Sequence, residues 1–269
     1  MMKDNFYSKV LNWVLPIFVV FTILTGGVIE GIVILLAYLG YRFYSERDKF
    51  FSFFGKNNYL KGNLEKSVKY YEKAYKTRKA EAKVVASYVY ALILSRDFHK
   101  ADEILAELKG RKDSDSVHTQ IKLCEAVLLW KRDGKLTNAI SSIEFFDDSL
   151  RTSSYYGLLG KMLLESGNMK RARDFSEDAY RYNSKSADIL ENLVRLYCIE
   201  EEYERAAKAA DVLLAKKPRS LDACYYCALA YEKTGKTKKA ESLYKKAMKF
   251  DETLISTVSH DMVDKQKGE

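Results

Sequence analysis

Proline and glycine are scarce in this chain of 269 residues, which contains 2 Pro and 13 Gly. Ala, Leu, Glu and Lys are plentiful instead, and this composition favours long helices over many short strands, which need frequent turns. The four cysteines, Cys124, Cys198, Cys224 and Cys227, are too few and too scattered for a disulfide framework. The composition therefore predicts an all-α protein and argues against a disulfide-stapled secreted domain.

Polar side chains are rare between residues 10 and 39, where only Asn12, Thr22, Thr25 and Glu30 are distinctly polar. A signal peptide has an apolar region of only about 7–15 residues, and no small-residue cleavage site follows this run. We therefore predict a membrane anchor over residues 10–44, in contact with the lipid bilayer, behind a tail of residues 1–9.

Two arrangements of this anchor are open. In a single span, Glu30 would lie deep in the bilayer at a cost of about 2.5–3.5 kcal/mol, and Gly27 and Gly31 could pack against another helix. In a helical hairpin, Thr25, Gly26 and Gly27 would form the turn and Glu30 would lie near the headgroups. A single span needs only about 20 residues, so the length of the run favours the hairpin.

Excess positive charge is confined to one short part of the chain. Residues 42–79 hold eleven lysines and arginines against four carboxylates, which is +7 of the net charge of +8. Four of these cations, Arg42, Arg47, Lys49 and Lys56, follow the anchor and are called the basic block. The positive-inside rule places this side in the cytoplasm, and we expect a bacterial cell membrane. We also expect the basic block to face anionic lipid rather than nucleic acid.

The remainder of the chain repeats with a period close to 34 residues. A small residue recurs at Ser67, Ala101, Ala139, Ala172, Ala206 and Ala240. Five residues before each of these lies a turn position: Gly62, Arg96, Gly134, Gly167, Glu201 and Gly235. Seven residues after each lies a packing position: Ala74, Leu108, Phe146, Ala179, Leu213 and Ala247. This pattern predicts stacked pairs of antiparallel helices, because one pair cannot bury its own apolar face.

The pattern resembles the tetratricopeptide repeat family, which places small and aromatic residues at fixed positions around a turn glycine. The last repeat carries it most fully, in Ala228, Tyr231, Gly235, Ala240, Tyr244 and Ala247. The resemblance implies a superhelix of six helix–turn–helix units over residues 48–254, namely 48–81, 82–119, 120–152, 153–186, 187–220 and 221–254. Residues 255–269 would form a capping helix and tail, with Leu254, Val258 and Met262 on one helical face.

The string AYEKTGKT, residues 230–237, is similar to a nucleotide-binding loop. Such a loop follows a strand and opens a helix, so that backbone N–H groups converge on the phosphates. Here the preceding residues, DACYYCALAYEK, form a helix by their place in the repeat. Gly235 is therefore interpreted as a helix–turn–helix glycine.

No group of residues has the spacing of a catalytic or metal site. Cys224 and Cys227 form half of a zinc knuckle without a second pair or a nearby histidine. His99, His118 and His260 lie in a turn, an inter-repeat loop and the cap, far apart in a stacked array, and a general base needs an oriented partner within hydrogen-bond reach. We therefore expect no enzymatic activity, no cofactor, no metal and no small-molecule substrate.

Arrays of this family bind a peptide or protein in their concave groove, which the first helices line. By this resemblance the candidate groove residues are Tyr90, Glu125, Lys161, Glu191, Asn192, Arg195, Tyr225, Tyr226 and Leu229. The family's clamp for a C-terminal carboxylate uses Lys, Asn and Arg at set positions. Only Asn192 matches it, while Gly157, Asp222 and Tyr226 replace its cations.

The sequence thus predicts a membrane-tethered scaffold for protein–protein interaction. Two alternatives are an extracytoplasmic factor that assembles envelope components, with the repeats outside the cytoplasm, and a membrane function centred on the anchor and Glu30.

Overall fold

The computed structural model describes residues 16–110 and 114–268, and these residues form helices, turns and loops. Residues 1–15, which include the predicted tail and the start of the anchor, lie outside the described part of the chain. The helices are α1 (Val28–Ser45), α2 (Arg47–Leu60), α3 (Leu64–Lys76), α4 (Ala82–Leu94), α5 (Phe98–Lys109), α6 (Asp115–Val127), α7 (Leu136–Glu144), α8 (Ser153–Glu165), α9 (Met169–Tyr182), α10 (Ala187–Ile199), α11 (Tyr203–Ala215), α12 (Leu221–Lys233), α13 (Thr237–Ala247) and α14 (His260–Gly268).

The apolar N-terminal segment folds back on itself. Residues 16–24 are helical, a turn follows with Gly26 at a φ of 95°, and α1 begins at Val28. A Cβ atom on Gly31 would lie 2.4 Å from Cγ1 of Ile23, so the two helices touch at this glycine. This break is the one that the hairpin alternative requires, and it places Glu30 in the first turn of α1. By length and composition α1 could cross a membrane, and 6% of it is buried.

Twelve helices, α2 to α13, form six antiparallel pairs, and α14 follows the last pair. The first helix of the third pair begins at Asp115 and continues through a π-helical turn at Leu128–Arg132. This longer helix absorbs the wider spacing between Ala101 and Ala139. The sequence-predicted start of that unit, residue 120, is therefore too late by more than one helical turn.

The small residues of the repeat lie where paired helices cross. All six are buried: Ser67, Ala101, Ala139, Ala172, Ala206 and Ala240. In the first pair, the Ser67 hydroxyl donates to the carbonyl of Gly55 at 2.9 Å, and a Cβ on Gly55 would lie 2.8 Å from the Tyr71 ring. These close approaches explain the 34-residue register, since a larger side chain would separate the helices.

All six turn positions have a left-handed backbone, with φ between 59° and 76°. Glycine adopts this conformation readily, whereas Arg96 and Glu201 adopt it against the steric preference of L-residues. Gly235 lies in one of these turns, between α12 and α13. Because a helix precedes it, the string around Gly235 has the context of a repeat and not of a nucleotide-binding loop.

The C-terminal cap differs from the prediction. Helix α14 begins at His260, while Leu254 and Val258 are buried in an irregular segment before it. Met262 is 40% exposed, and Val263 is the apolar side chain that α14 buries. The predicted helical face is therefore wrong, because Leu254 and Val258 are buried by contacts of the irregular segment with other repeats.

The superhelix closes on itself. A Cβ on Gly62, in the turn of the first pair, would lie 2.9 Å from the carbonyl oxygen of Arg219 and 2.8 Å from the Phe250 ring. Arg219 precedes the last pair and Phe250 follows it. Contact between the two ends of the array encloses the concave side, which is called the inner surface below.

Candidate protein-binding surface

The inner surface is lined by the first helices of successive pairs, α4, α6, α8, α10 and α12, and these helices carry the nine predicted groove residues. Asn192, Arg195, Tyr225 and Tyr226 are buried, and Tyr90, Glu125, Lys161, Glu191 and Leu229 are half-buried. None of the nine is exposed to the extent expected of an open groove. The enclosure of the inner surface by the ends of the array explains this difference.

A three-charge network links helices α8, α10 and α12. The Lys161 ammonium donates to Glu191 at 3.0 Å and to Asp222 at 3.1 Å, and Glu191 also accepts from the Ser220 hydroxyl at 2.7 Å. Burial alone would lower the pKa of Lys161, but the two carboxylates raise it above its usual range. Lys161 therefore remains charged, and the network fixes the spacing of three repeats.

Tyr59, Tyr90 and Asp188 lie close to this network. The rings of Tyr59 and Tyr90 are 6.4 Å apart, which brings the end of α2 to the inner surface. Burial first, and then the charge of Glu191, raise the pKa of the Asp188 carboxyl. Asp188 and Tyr59 keep solvent-exposed area although protein surrounds them. Both side chains therefore remain in contact with water.

Two of the predicted groove residues form a hydrogen bond or ion pairs with other residues of the array. The Asn192 side chain donates to the Gly157 carbonyl at 2.8 Å across two repeats. The Glu125 carboxylate forms ion pairs with Lys109 at 2.5 Å and with Lys122 at 3.4 Å. Their polar atoms are occupied by partners within the chain.

Arg195 is different from the other charged groove residues. Its guanidinium lies 5.9 Å from the ring centre of Tyr226, and the residue is only 9% exposed. Among the described residues, neither Nε nor Nη1 has a hydrogen-bond partner. A buried cation without an acceptor is unfavourable by several kcal/mol, so this arginine is the group on the inner surface that lacks an anion. A carboxylate is the chemical group that a guanidinium binds best, through two parallel hydrogen bonds.

The apolar part of the candidate site serves packing as well. Tyr225 and Tyr226 are buried and their rings meet edge to face at 5.2 Å, while Leu229 packs at the margin of the core. Cys224 and Cys227 are buried on the same helix, and burial raises the pKa of Cys224 to about 11. The CYYC motif is therefore part of the core of α12.

The basic block lies where α1 leads into the first repeat. Arg42 forms an ion pair with Glu46 at 2.9 Å, and the Arg47 guanidinium stacks on Tyr44 at 4.1 Å. Lys49 and Lys56 are exposed on α2. Four aromatic side chains are exposed beside these cations, namely Phe43, Tyr44, Phe50 and Phe53. The sequence pattern had indicated Tyr44 as an interfacial aromatic, whereas the three phenylalanines, which alternate with the cations along α1 and α2, were not noted.

A second concave region lies on the outer side of the array, between α9, α10 and α11. It is a shallow cavity of 530 Å³ whose lining includes Tyr180, Leu193, Tyr197 and Val212. This cavity could not be predicted from the sequence, because these positions fit the amphipathic pattern of ordinary packed helices. It is the structural rival to the inner surface as a place for a partner.

No protein-family model matches the chain, and no curated protein matches it significantly. Among solved structures it is similar to a tetratricopeptide repeat protein from Parabacteroides merdae, with 13% identity, 93% of this chain and 95% of that chain covered, and a TM-score of 0.50. It is also similar to PilW, a widely conserved type IV pilus biogenesis factor, with 11% identity, coverage of 76% and 93%, and a TM-score of 0.50. The likeness concerns the fold, with the paired helices and left-handed turns described above.

Proposed function

We propose that this chain, which has the tetratricopeptide-repeat fold, is a membrane-anchored and non-catalytic scaffold that binds a partner protein at its inner surface. The observation that carries the proposal is the unpaired guanidinium of Arg195 beside Tyr226. A partner that inserts a carboxylate would supply the missing acceptor. In a site shielded from water, such charge-assisted hydrogen bonds are stronger than on an open surface.

The N-terminal hairpin supports the membrane part of the proposal. Nearly all apolar side chains of α1 are exposed, and a soluble protein rarely exposes so large an apolar area. The basic block and the neighbouring aromatics suit the interface, where cations meet anionic headgroups and aromatic rings lie at headgroup level. Confinement to the membrane would raise the effective concentration of a partner held in the same layer.

Quantitative copurification tests the binding site. The full chain is extracted from membranes as wild type, as Arg195→Gln and as Lys208→Gln, a matched control that removes an exposed cation from α11. We expect Arg195→Gln to lose the partner at least tenfold and Lys208→Gln to retain it. Equal recovery from all three, with unchanged circular dichroism, would refute a role for Arg195.

Topology is tested by labelling with a membrane-impermeant maleimide. The four native cysteines are buried and therefore unsuitable, so the exposed residue Ser141 is changed to Cys. We expect labelling only after the membrane is ruptured, as the positive-inside rule requires. Labelling of intact cells would instead support an extracytoplasmic assembly factor.

A further inference from the structure

The connection between the last repeat and α14 is longer than the other links between repeats. Pairs elsewhere are joined by short loops such as residues 183–186 and 216–220, whereas residues 248–259 separate α13 from α14. Residues 250–259, called the strap here, contain no helix and run back toward the first repeats. Buried backbone outside regular structure must find hydrogen-bond partners elsewhere, and the strap finds such partners in α4 and α12.

The first half of the strap reaches the beginning of the array. The Asp251 carboxylate accepts from the backbone N–H of Leu64, at the start of α3, at 3.1 Å. The backbone N–H of Leu254 donates to the carbonyl of Leu94, at the end of α4, at 3.3 Å. Leu254 is buried, so this contact combines a backbone hydrogen bond with an apolar anchor.

The second half of the strap binds to the charge network on the inner surface. The Asp222 carboxylate accepts from the Thr257 N–H at 3.0 Å, from the Thr257 hydroxyl at 3.0 Å and from the Val258 N–H at 3.3 Å. The same carboxylate holds Lys161. Val258 is 2% exposed. A carboxylate that receives two consecutive backbone N–H groups and one hydroxyl is a receptor for a bent segment whose N–H groups are not used in a helix.

These contacts combine the two elements of peptide recognition, in which backbone hydrogen bonds give affinity and buried side chains give selectivity. Here they come from a covalently attached segment, which has a high effective concentration. The contacts of the strap therefore show which groups of the inner surface bind a polypeptide segment.

We propose that the inner surface binds a non-helical polypeptide segment with an apolar residue, two intervening residues, and then a Ser or Thr followed directly by a second apolar residue. The strap, with Leu254, Thr257 and Val258, occupies this site in cis until a partner segment displaces it. The inference rests on the proposed function and names both its ligand and its regulation.

Native-state hydrogen exchange of the full chain tests whether the strap can leave. We expect the amides of Thr257 and Val258 to exchange through a local opening that depends weakly on denaturant, at least tenfold faster than the amide of Cys227 in α12. If both regions exchange at the same rate and with the same denaturant dependence, the strap is an inseparable part of the core and the proposal fails.

A peptide of residues 250–259 tests the site in trans. The probe is the fluorescein-labelled peptide FDETLISTVS, titrated into three full-length chains in micelles: wild type, a loosened variant (Leu254→Ser with Thr257→Pro) and the loosened variant that also carries Asp222→Ala. We expect the loosened variant to bind at least tenfold tighter than wild type and Asp222→Ala to abolish this gain. Asp222→Ala leaves Lys161 paired with Glu191.

Met262→Ser, in the exposed part of α14, serves as the control and should bind the peptide as wild type does. Binding that is absent from the loosened variant, or that is independent of Asp222, overturns the proposal. If the loosened variant does not fold, the exchange experiment on wild type decides alone. Neither the hydrogen-exchange measurement nor the peptide titration needs the natural partner. Either can therefore fail while the copurification test succeeds, or succeed while the copurification test fails.

Discussion

At the six turns of the array each repeat has the same local conformation, whereas the residues on the inner surface differ from one repeat to the next. The turns depend on residues a few positions apart, and a left-handed residue recurs in each one. The inner surface depends on residues such as Lys161 and Asp222, which are far apart in sequence and meet only when the array closes. The turns therefore define the fold, and the inner surface distinguishes this chain from other arrays with the same fold.

The largest effect on stability is expected from removing the cation that two carboxylates share on the inner surface. Lys161→Met leaves Glu191 and Asp222 buried without a counter-charge, and we expect a loss of about 3 kcal/mol in the free energy of unfolding. Urea unfolding measures it, with Lys122→Met as the control because that lysine is largely exposed. Equal losses in the two variants would contradict a special role for the network.

The shared register is tested next, at a helix crossing. Ala206 is fully buried, and Ala206→Leu should lower the free energy of unfolding by about 1–3 kcal/mol because the paired helices must separate. Lys208→Leu, on the exposed side of the same helix, should change it by less than about 0.5 kcal/mol. Thermal unfolding of both variants shows whether the register explains the packing.

Smaller changes in the free energy of unfolding, with opposite signs in two variants, are expected at the turns. Gly235→Ala places a Cβ on a left-handed residue and should lower the free energy of unfolding by about 1 kcal/mol. Glu201→Gly relieves the same strain and should raise it by a smaller amount, about 0.5 kcal/mol. Changes of the same sign in both variants would show that backbone conformation does not control these positions.

The smallest effect is expected at Asp188. The raised pKa of its carboxyl means that the folded chain holds the proton more tightly than the unfolded chain, so ionisation destabilises the fold above that pKa. Asp188→Asn should therefore be slightly more stable than wild type at pH 7, by less than about 1 kcal/mol because the group keeps contact with water. The difference should shrink as the pH falls toward about 4, and a difference independent of pH would exclude this cause.

Much of the array could be predicted from sequence because its determinants are local. The predicted turn positions have a left-handed backbone even at Arg96 and Glu201, which are not glycines. The strap could not be predicted in this way, since the spacing of Leu254 and Val258 fits a helical face as well as two anchors of an irregular segment. Only the contacts with Leu94 and Asp222 decide between them, and these depend on closure of the array.

The family resemblance predicted groove positions for Lys161, Glu191 and Arg195, and their role in binding stays a prediction. It did not predict that Lys161 and Glu191 share a hydrogen-bonded network. Asp222 was noted only as a departure from a carboxylate clamp, although it receives Lys161 and the strap. Tyr59 and Asp188 were overlooked because no periodic pattern brings the end of α2 to the start of α10.

The most direct test is photo-crosslinking in cells from one position on each face of the array. A photoreactive residue replaces Leu229 on the inner surface or Val212, which is 41% exposed beside the outer cavity. We predict that a partner crosslinks from position 229, and that Arg195→Gln removes this crosslink. A partner captured only from position 212, or captured from 229 regardless of Arg195, would contradict the assignment of the inner surface as the binding site.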